Sequence, residues 1–262
     1  MYASLPMYDW PEVRAPMDAL WAGLSGRLRA VGLDAPMALQ RGGDLYAGWL
    51  RPDLLISQTC GLPFVRRLRG RVTIVGALDH GLVGLPAGFY CSRLIARRGD
   101  AGPLAGFRGR RAAYNSADSQ SGAGALRHMV LPLLERGRFF GETVMTGGHA
   151  NSIRAVADGR ADLAAIDAMT WELALRHMPE AAGLAVIAST PPTPGLPFIT
   201  ALGGPAAAVY EAVGLALADL SAGERAAIGM QAIVPRGEED FAIVAQWDAA
   251  ARGYSELGTG TA

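Results

Sequence analysis

The sequence predicts an α/β protein of two lobes, the second inserted into the first. Three observations carry that reading. Short apolar runs alternate with helical periodicities from the first residues onward, the order that an α/β chain requires. The alternation begins again after a strand-like stretch at residues 88–97. Residues 190–197 then read Thr-Pro-Pro-Thr-Pro-Gly-Leu-Pro. Four prolines in eight residues exclude helix and central strand, so this segment is an extended linker. The first lobe is therefore expected at 1–90 and 191–262, and the second at 91–190. Two crossings, near residues 90–92 and 190–195, form the hinge, with a ligand cleft between the lobes.

Each element has its own signal. Residues 1–8 read as a short strand. Val13, Met17, Leu20, Trp21, Leu24, Leu28 and Val31 recur at spacings of three and four, which predicts a helix closed by Gly32. The apolar runs 53–57 and 71–77 are expected as buried parallel strands joined by a short helix at 62–68. In the second lobe strands are expected at 110–114, 143–145 and 163–166. Each precedes a helix, at 121–135, 149–158 and 168–177. A further run at 184–188 leads to the linker, and 198–202 resumes as a strand. Three mostly helical stretches, 206–220, 221–230 and 238–254, close the chain.

Composition narrows the function. The chain has 262 residues, 50% hydrophobic and 18% charged, with 24 basic against 24 acidic side chains. That excludes a disordered chain. No basic stripe stands out, so nucleic acid is not expected as a partner. Every basic residue other than histidine is Arg; the absence of Lys removes Schiff-base chemistry and a phosphate loop ending in Gly-Lys-Ser/Thr. No apolar run approaches the roughly 18 residues that span a bilayer, so no membrane insertion is expected. Residues 1–10 lack the charge-then-apolar order of a signal peptide, which leaves a cytoplasmic protein or a mature end of an exported one. Cys60 and Cys91 are read as two free thiols or one disulfide. The four histidines show no metal-ligand spacing, and neither a nucleophile elbow nor a dinucleotide fingerprint is present. No metal and no cofactor are expected.

The most informative segment is Tyr114-Asn-Ser-Ala-Asp-Ser-Gln-Ser-Gly-Ala-Gly, between a strand and a helix. Asn115, Ser116, Ser119 and Ser121 bring polar side chains to a helix start, and Gly122 and Gly124 allow close approach of the backbone. Free amides, hydroxyls and the positive end of the helix dipole together suit an anion. The alternative is that Ser119 only caps the helix. Asp118 would repel a bound anion unless it points away or accepts a proton from a protonated oxyanion. His149 and Asp167 occupy two further strand-to-helix junctions. Each has two readings: His149 caps its helix or donates to an anion, and Asp167 caps the next helix or faces the ligand. In the first lobe Gln58 and Thr59 end a strand, and Tyr46 and Tyr90 are candidate cleft walls.

The stretches Ser57-Gln-Thr-Cys-Gly, Asn115-Ser-Ala-Asp-Ser-Gln-Ser-Gly, Gly148-His and Ala155-Val-Ala-Asp-Gly-Arg-Ala-Asp-Leu-Ala-Ala-Ile-Asp resemble a known group. It is the substrate-binding proteins of phosphate, phosphite and phosphonate ABC importers, which have the type 2 periplasmic-binding-protein fold. The resemblance implies a phosphorus oxyanion held at Ser119, Gln120 and Ser121, with His149 as a further donor. It implies Asp167 facing an amine on the ligand, and Tyr8, Tyr46 and Tyr90 walling the cleft. It also implies a binding protein rather than an enzyme, monomeric, handing a small ligand to an ABC permease if exported. The alternative is a cytoplasmic enzyme on the same fold, with His149 and Asp167 as acid and base, or a ligand sensor.

Overall fold

The computed structural model describes residues 1–258. In chain order it contains β1 (Tyr2–Ala3), α1 (Arg14–Ala30), α2 (Leu45–Trp49), β2 (Leu54–Gln58) and α3 (Gly61–Pro63), which runs into a π-helical segment, Phe64–Leu68. There follow β3 (Val72–Asp79), β4 (Phe89–Tyr90), β5 (Ser92–Arg97) and β6 (Arg111–Tyr114). A second π-helical segment, Gln120–Gly124, opens α4 (Ala125–Val130). Then come β7 (Glu142–Met145), α5 (His149–Ala157), β8 (Leu163–Asp167), α6 (Ala168–His177), β9 (Leu184–Ser189), β10 (Thr193–Pro194) and β11 (Pro197–Ala201). The chain continues with α7 (Ala206–Asp219), α8 (Ala222–Ile228), β12 (Ala232–Val234) and α9 (Ala242–Ala250).

Two compact units result: Met1–Phe89 with Pro194–Ala242, and Tyr90–Thr193 with residues 243–258. The boundaries number three rather than the expected two, and residues 243–258 belong with the second unit rather than with the first lobe. Packing explains the correction. Trp247 of α9 stacks on His128 of α4, ring centroids 3.7 Å apart and planes 9° from parallel. Tyr254 and Leu257 complete the apolar core that holds Tyr114, Leu126, Phe139 and Phe140. Periodicity shows that 238–254 is helical, but not which unit its apolar side faces.

The first unit is built on a mixed sheet in the order β1-β2-β11-β3-β12. The expected neighbours β2 and β3 are not bonded to each other; β11 lies between them, antiparallel to both. Every residue of β2 is buried, as a central strand covered on both faces must be. The long helix α1 turns Met17, Leu20, Trp21, Leu24 and Leu28 inward and packs along α7. The first strand is shorter than expected, two residues in place of eight.

The second unit is organised by a sheet in the order β7-β6-β8-β5-β9. Its β6 is parallel to both β7 and β8, whereas β5 is antiparallel to β8 and β9. Because β6, β7 and β8 run the same way, their carboxyl ends share one edge. There the chain turns into the helical segment at Gln120, α5 and α6 respectively. One edge thus collects three helix starts. Cys60 and Cys91 lie in different units, and neither forms a disulfide.

Candidate functional site

The first junction follows β6. Ser119 N-caps the helix, its Oγ accepting the Gly122 amide at 3.1 Å. The Gly124 amide donates to the Ser119 carbonyl at 2.8 Å, five residues back, so the opening turn is π-helical rather than α-helical. Gln120 and Ser121 follow the cap as the first two residues of the opening turn. Gly122 is required by close approach: a Cβ there would fall 1.9 Å from Asn115 Oδ1. That Oδ1 is buried and accepts no hydrogen bond. Ser116 Oγ donates to Asp118 Oδ1 at 2.8 Å, so the carboxylate that would oppose an anion is engaged within its own loop.

The second junction follows β7. His149 is the first residue of α5, whose N-cap, Gly148, supplies no side-chain acceptor. Gly147, at φ 80°, takes a left-handed conformation that bends the chain into the helix. The Thr146 and Ser152 hydroxyls lie 2.7 Å apart across this turn. The His149 ring does not cap α5. Its Nε2 lies 2.8 Å from Ser121 Oγ, joining the second junction to the first. Its Nδ1 is buried without a partner. Burial pushes the imidazole down to about 4, against the opposing pull of the Asp167 carboxylate, so the ring is neutral at pH 7.

The third junction follows β8. Asp167, buried, N-caps α6 by accepting the Thr170 amide at Oδ1, 2.9 Å. The capping reading therefore holds for one oxygen of Asp167. Its charge acts on both His149 and the buried thiol of Cys91, which burial pushes up. Tyr90, also buried, lies at the start of this unit.

The remaining candidates lie in the first unit. Tyr8 is fully buried, its ring edge-on to His80 with centroids 5.0 Å apart. His80 Nδ1 lies 2.6 Å from the Gly229 carbonyl, which can only accept, so Nδ1 carries the proton. In the neutral ring Nε2 then accepts, and the Tyr8 hydroxyl donates to it at 3.3 Å. Tyr46 lies edge-on to Trp49, and the Arg67 guanidinium sits 4.0 Å from its ring centre. Trp49 Nε1 donates to the Gln58 carbonyl at 2.9 Å, which fixes α2 to the end of β2. Thr59 is buried, its hydroxyl donating to the Cys60 carbonyl at 3.3 Å. The Gln58 side chain is fully buried, and neither its amide nitrogen nor its oxygen has a hydrogen-bond partner.

Among the sequence candidates, then, Asn115 and Gly122 are in close approach, as are Ser121 and His149. Asp167 acts on His149 through its charge. Tyr8, Tyr46, Gln58 and Thr59 belong to the other unit. The sequence reading missed Arg127, which reaches back from α4 to the Ala117 carbonyl at 3.0 Å. Its signal is an arginine directly after the apolar pair Ala125-Leu126. Among the described residues no three His, Cys, Asp or Glu side chains gather as a metal site.

Three helix starts thus share one edge of the second unit's sheet, and comparison with known proteins supplies the family. The chain belongs to the family described as ABC transporter, phosphonate, periplasmic substrate-binding protein, whose model matches residues 62–242. This is a family of binding proteins, so the enzyme alternative is set aside. No curated protein matches the sequence. Among solved structures the chain is similar to PhnD1 from Prochlorococcus marinus in complex with methylphosphonate. That likeness has a TM-score of 0.72 at 14% identity, covering 95% of this chain and 97% of the other. It is similar to XAC2383 from Xanthomonas citri bound to chloride, TM-score 0.69 at 18% identity, covering 96% and 97%. It is also similar to a binding protein component of an ABC phosphonate transporter from Pseudomonas aeruginosa, TM-score 0.67 at 17% identity, covering 96% and 86%. At these identities the structural likeness establishes the fold.

Proposed function

We propose that this substrate-binding protein takes a small phosphorus oxyanion, a phosphonate or a close relative, at the helix start that follows β6. The carrying observation is the pair Ser121 and His149, 2.8 Å apart at two converging helix starts. The backbone amide of Ser121, the hydroxyl of Ser119 and the one proton that the Ser121–His149 pair does not use internally offer donors without any cation. Asn115 and Gly122 hold the loop in shape, and Ser116 keeps Asp118 engaged. Within the first unit, Gln58, with its buried and unpartnered amide, is the strongest candidate site residue, ahead of Thr59, Tyr46 and Tyr8; within the second unit Tyr90 is a weaker candidate. Asp167, which caps α6, is the candidate to face an amine on the ligand. The ligand complexes of the relatives support an anion: one holds methylphosphonate and another chloride. The protein is proposed to act as a monomer in the periplasm, delivering to an ABC permease.

A thermal-shift panel tests the reading. Phosphate, phosphite, methylphosphonate and 2-aminoethylphosphonate are compared with malate and uncharged controls. A ligand at about a thousand times its dissociation constant stabilises by ~4 kcal/mol. In a chain of this size that raises Tm by roughly 8–16 °C. A shift confined to a phosphorus compound supports the proposal; shifts from phosphorus-free compounds alone contradict it.

A further inference from the structure

The loop between β6 and Ser119 is fastened from behind by residues 254–258. Arg127 is buried, the only arginine so buried among the described residues. Long helical side chains lie back toward the helix N-terminus, and this one follows the rule. Its Nη2 donates to Ala117 O at 3.0 Å, inside the loop between β6 and the Ser119 cap. The same nitrogen donates to Leu257 O at 2.9 Å and to Gly258 O. One guanidinium thus ties the loop to residues 257–258.

That end segment is itself anchored. The Glu256 carboxylate accepts the amides of Phe139 and Phe140 at 2.9 and 3.1 Å and the hydroxyl of Tyr254. The Thr143 hydroxyl donates to the Glu256 carbonyl at 2.6 Å, and Thr143 lies on β7, the strand that leads to His149. Leu257 is fully buried in the core that includes Tyr114, the residue before Asn115. At Gly258 a Cβ would lie 3.1 Å from that of Ala117, so the segment passes directly under the loop. Residues 254–258 therefore brace both strands whose ends carry Ser121 and His149.

We infer that residues 254–258 and Arg127 form a latch that positions the loop 115–119 for anion binding. Arg127 is a positioning residue; it holds Ala117 and leaves the ligand to Ser119, Ser121 and His149. The inference rests on the site proposed above. A loop that must be ordered before it binds lowers apparent affinity by the fraction of molecules in which it is ordered. Releasing the latch is therefore expected to weaken binding by that fraction.

The test measures methylphosphonate affinity by calorimetry, well below each variant's Tm, for Arg127→Met, Arg127→Lys and a chain ending at Ser255. The double variant Ser121→Ala/His149→Ala serves as reference. Expected are a loss of tenfold or more for Arg127→Met and for the shortened chain, no further loss when the two are combined, and partial recovery in Arg127→Lys. A purely structural Arg127 would lower Tm and leave affinity unchanged. Wild-type affinity in both latch variants, with the reference double variant impaired, overturns the latch and leaves the anion site standing. Wild-type affinity in the reference double variant overturns the site and the latch together. Hydrogen exchange on the unaltered protein needs no variant to fold. Methylphosphonate is expected to slow amide exchange in 254–258 along with 115–121, and protection of 115–121 alone overturns the latch.

Discussion

Ser121 Oγ and His149 Nε2 lie 2.8 Å apart, although 28 residues separate them in sequence. The contact exists because β6 and β7 are parallel neighbours, so the turns that follow them emerge on the same edge. A hydroxyl paired with a neutral imidazole presents a donor that costs less to desolvate than a cation would. Several consequences can be measured.

Gly122→Ala places a methyl 1.9 Å from Asn115 Oδ1, so the Asn115 side chain has to turn away or its loop has to move. The expected cost is about 1–3 kcal/mol in a urea titration. Methylphosphonate affinity should fall in parallel, because the loop disturbed is the one proposed to bind. An unchanged affinity would mean that Asn115 and its loop do not shape the site.

The second prediction concerns acid. His149 titrates near 6.5 in the unfolded chain and near 4 in the folded one, because burial disfavours the charged ring. Between those values the unfolded chain binds a proton that the folded chain does not. Stability is therefore full above pH 6.5 and declines as pH falls toward 4. Burial also lowers His128, which adds in the same direction. The loss of urea midpoint between pH 7 and 5 should be smaller, though not absent, in His149→Gln. Equal losses in both proteins would contradict the burial of His149.

Asp162 is the ionic anchor of the second unit. Its carboxylate accepts Arg97 Nη2 at 2.7 Å, and Arg111 Nη2, Nε and backbone N at 3.0 to 3.1 Å. Burial pushes the acid up, but the bonds from Arg111 and Arg97 more than reverse this and hold it well below the usual range. Its contribution is present above the ordinary carboxylate value and is lost as pH falls below it. Asp162→Asn is expected to lower Tm by roughly 3–8 °C at pH 7. The difference should shrink toward pH 2, as differential scanning calorimetry would show.

Ser221→Ala provides a control remote from the site. Ser221 Oγ accepts the Glu224 amide at 3.2 Å while the Glu224 carboxylate accepts the Ser221 amide at 2.8 Å, a capping box at the start of α8. Losing the cap should lower Tm by about 2–4 °C. Calorimetric affinity for methylphosphonate should stay within twofold of wild type.

Much of this molecule was legible in its residues. The inward stripe of α1 follows from the spacing of Met17, Leu20, Trp21, Leu24 and Leu28. The serines before Gly122, the Gly-Gly before His149 and the carboxylate ending β8 all marked strand-to-helix junctions, because caps and turns have local chemistry. What was not legible depends on partners distant in sequence. Nothing in Phe198 or Ile199 reveals that β11 inserts between β2 and β3, a pairing set by the return of the chain after 190–197. Trp247 gives no sign that it stacks on His128, the contact that places α9 with the second unit. Nor does Tyr8 show in sequence that its hydroxyl meets His80, 72 residues away. Arg127 is not legible because an arginine in a helix is ordinarily solvated, and the carbonyls that accept from it, of Ala117, Leu257 and Gly258, come together only in the fold.

Direct calorimetric titration of the unaltered protein and of Ser121→Ala/His149→Ala with methylphosphonate tests the central claim most directly. The account predicts saturable one-to-one binding by the unaltered chain and a loss of at least a hundredfold in the double variant, with both proteins folded by circular dichroism. Equal affinity in the two would contradict it, and the serines at this helix start would then be caps and nothing more.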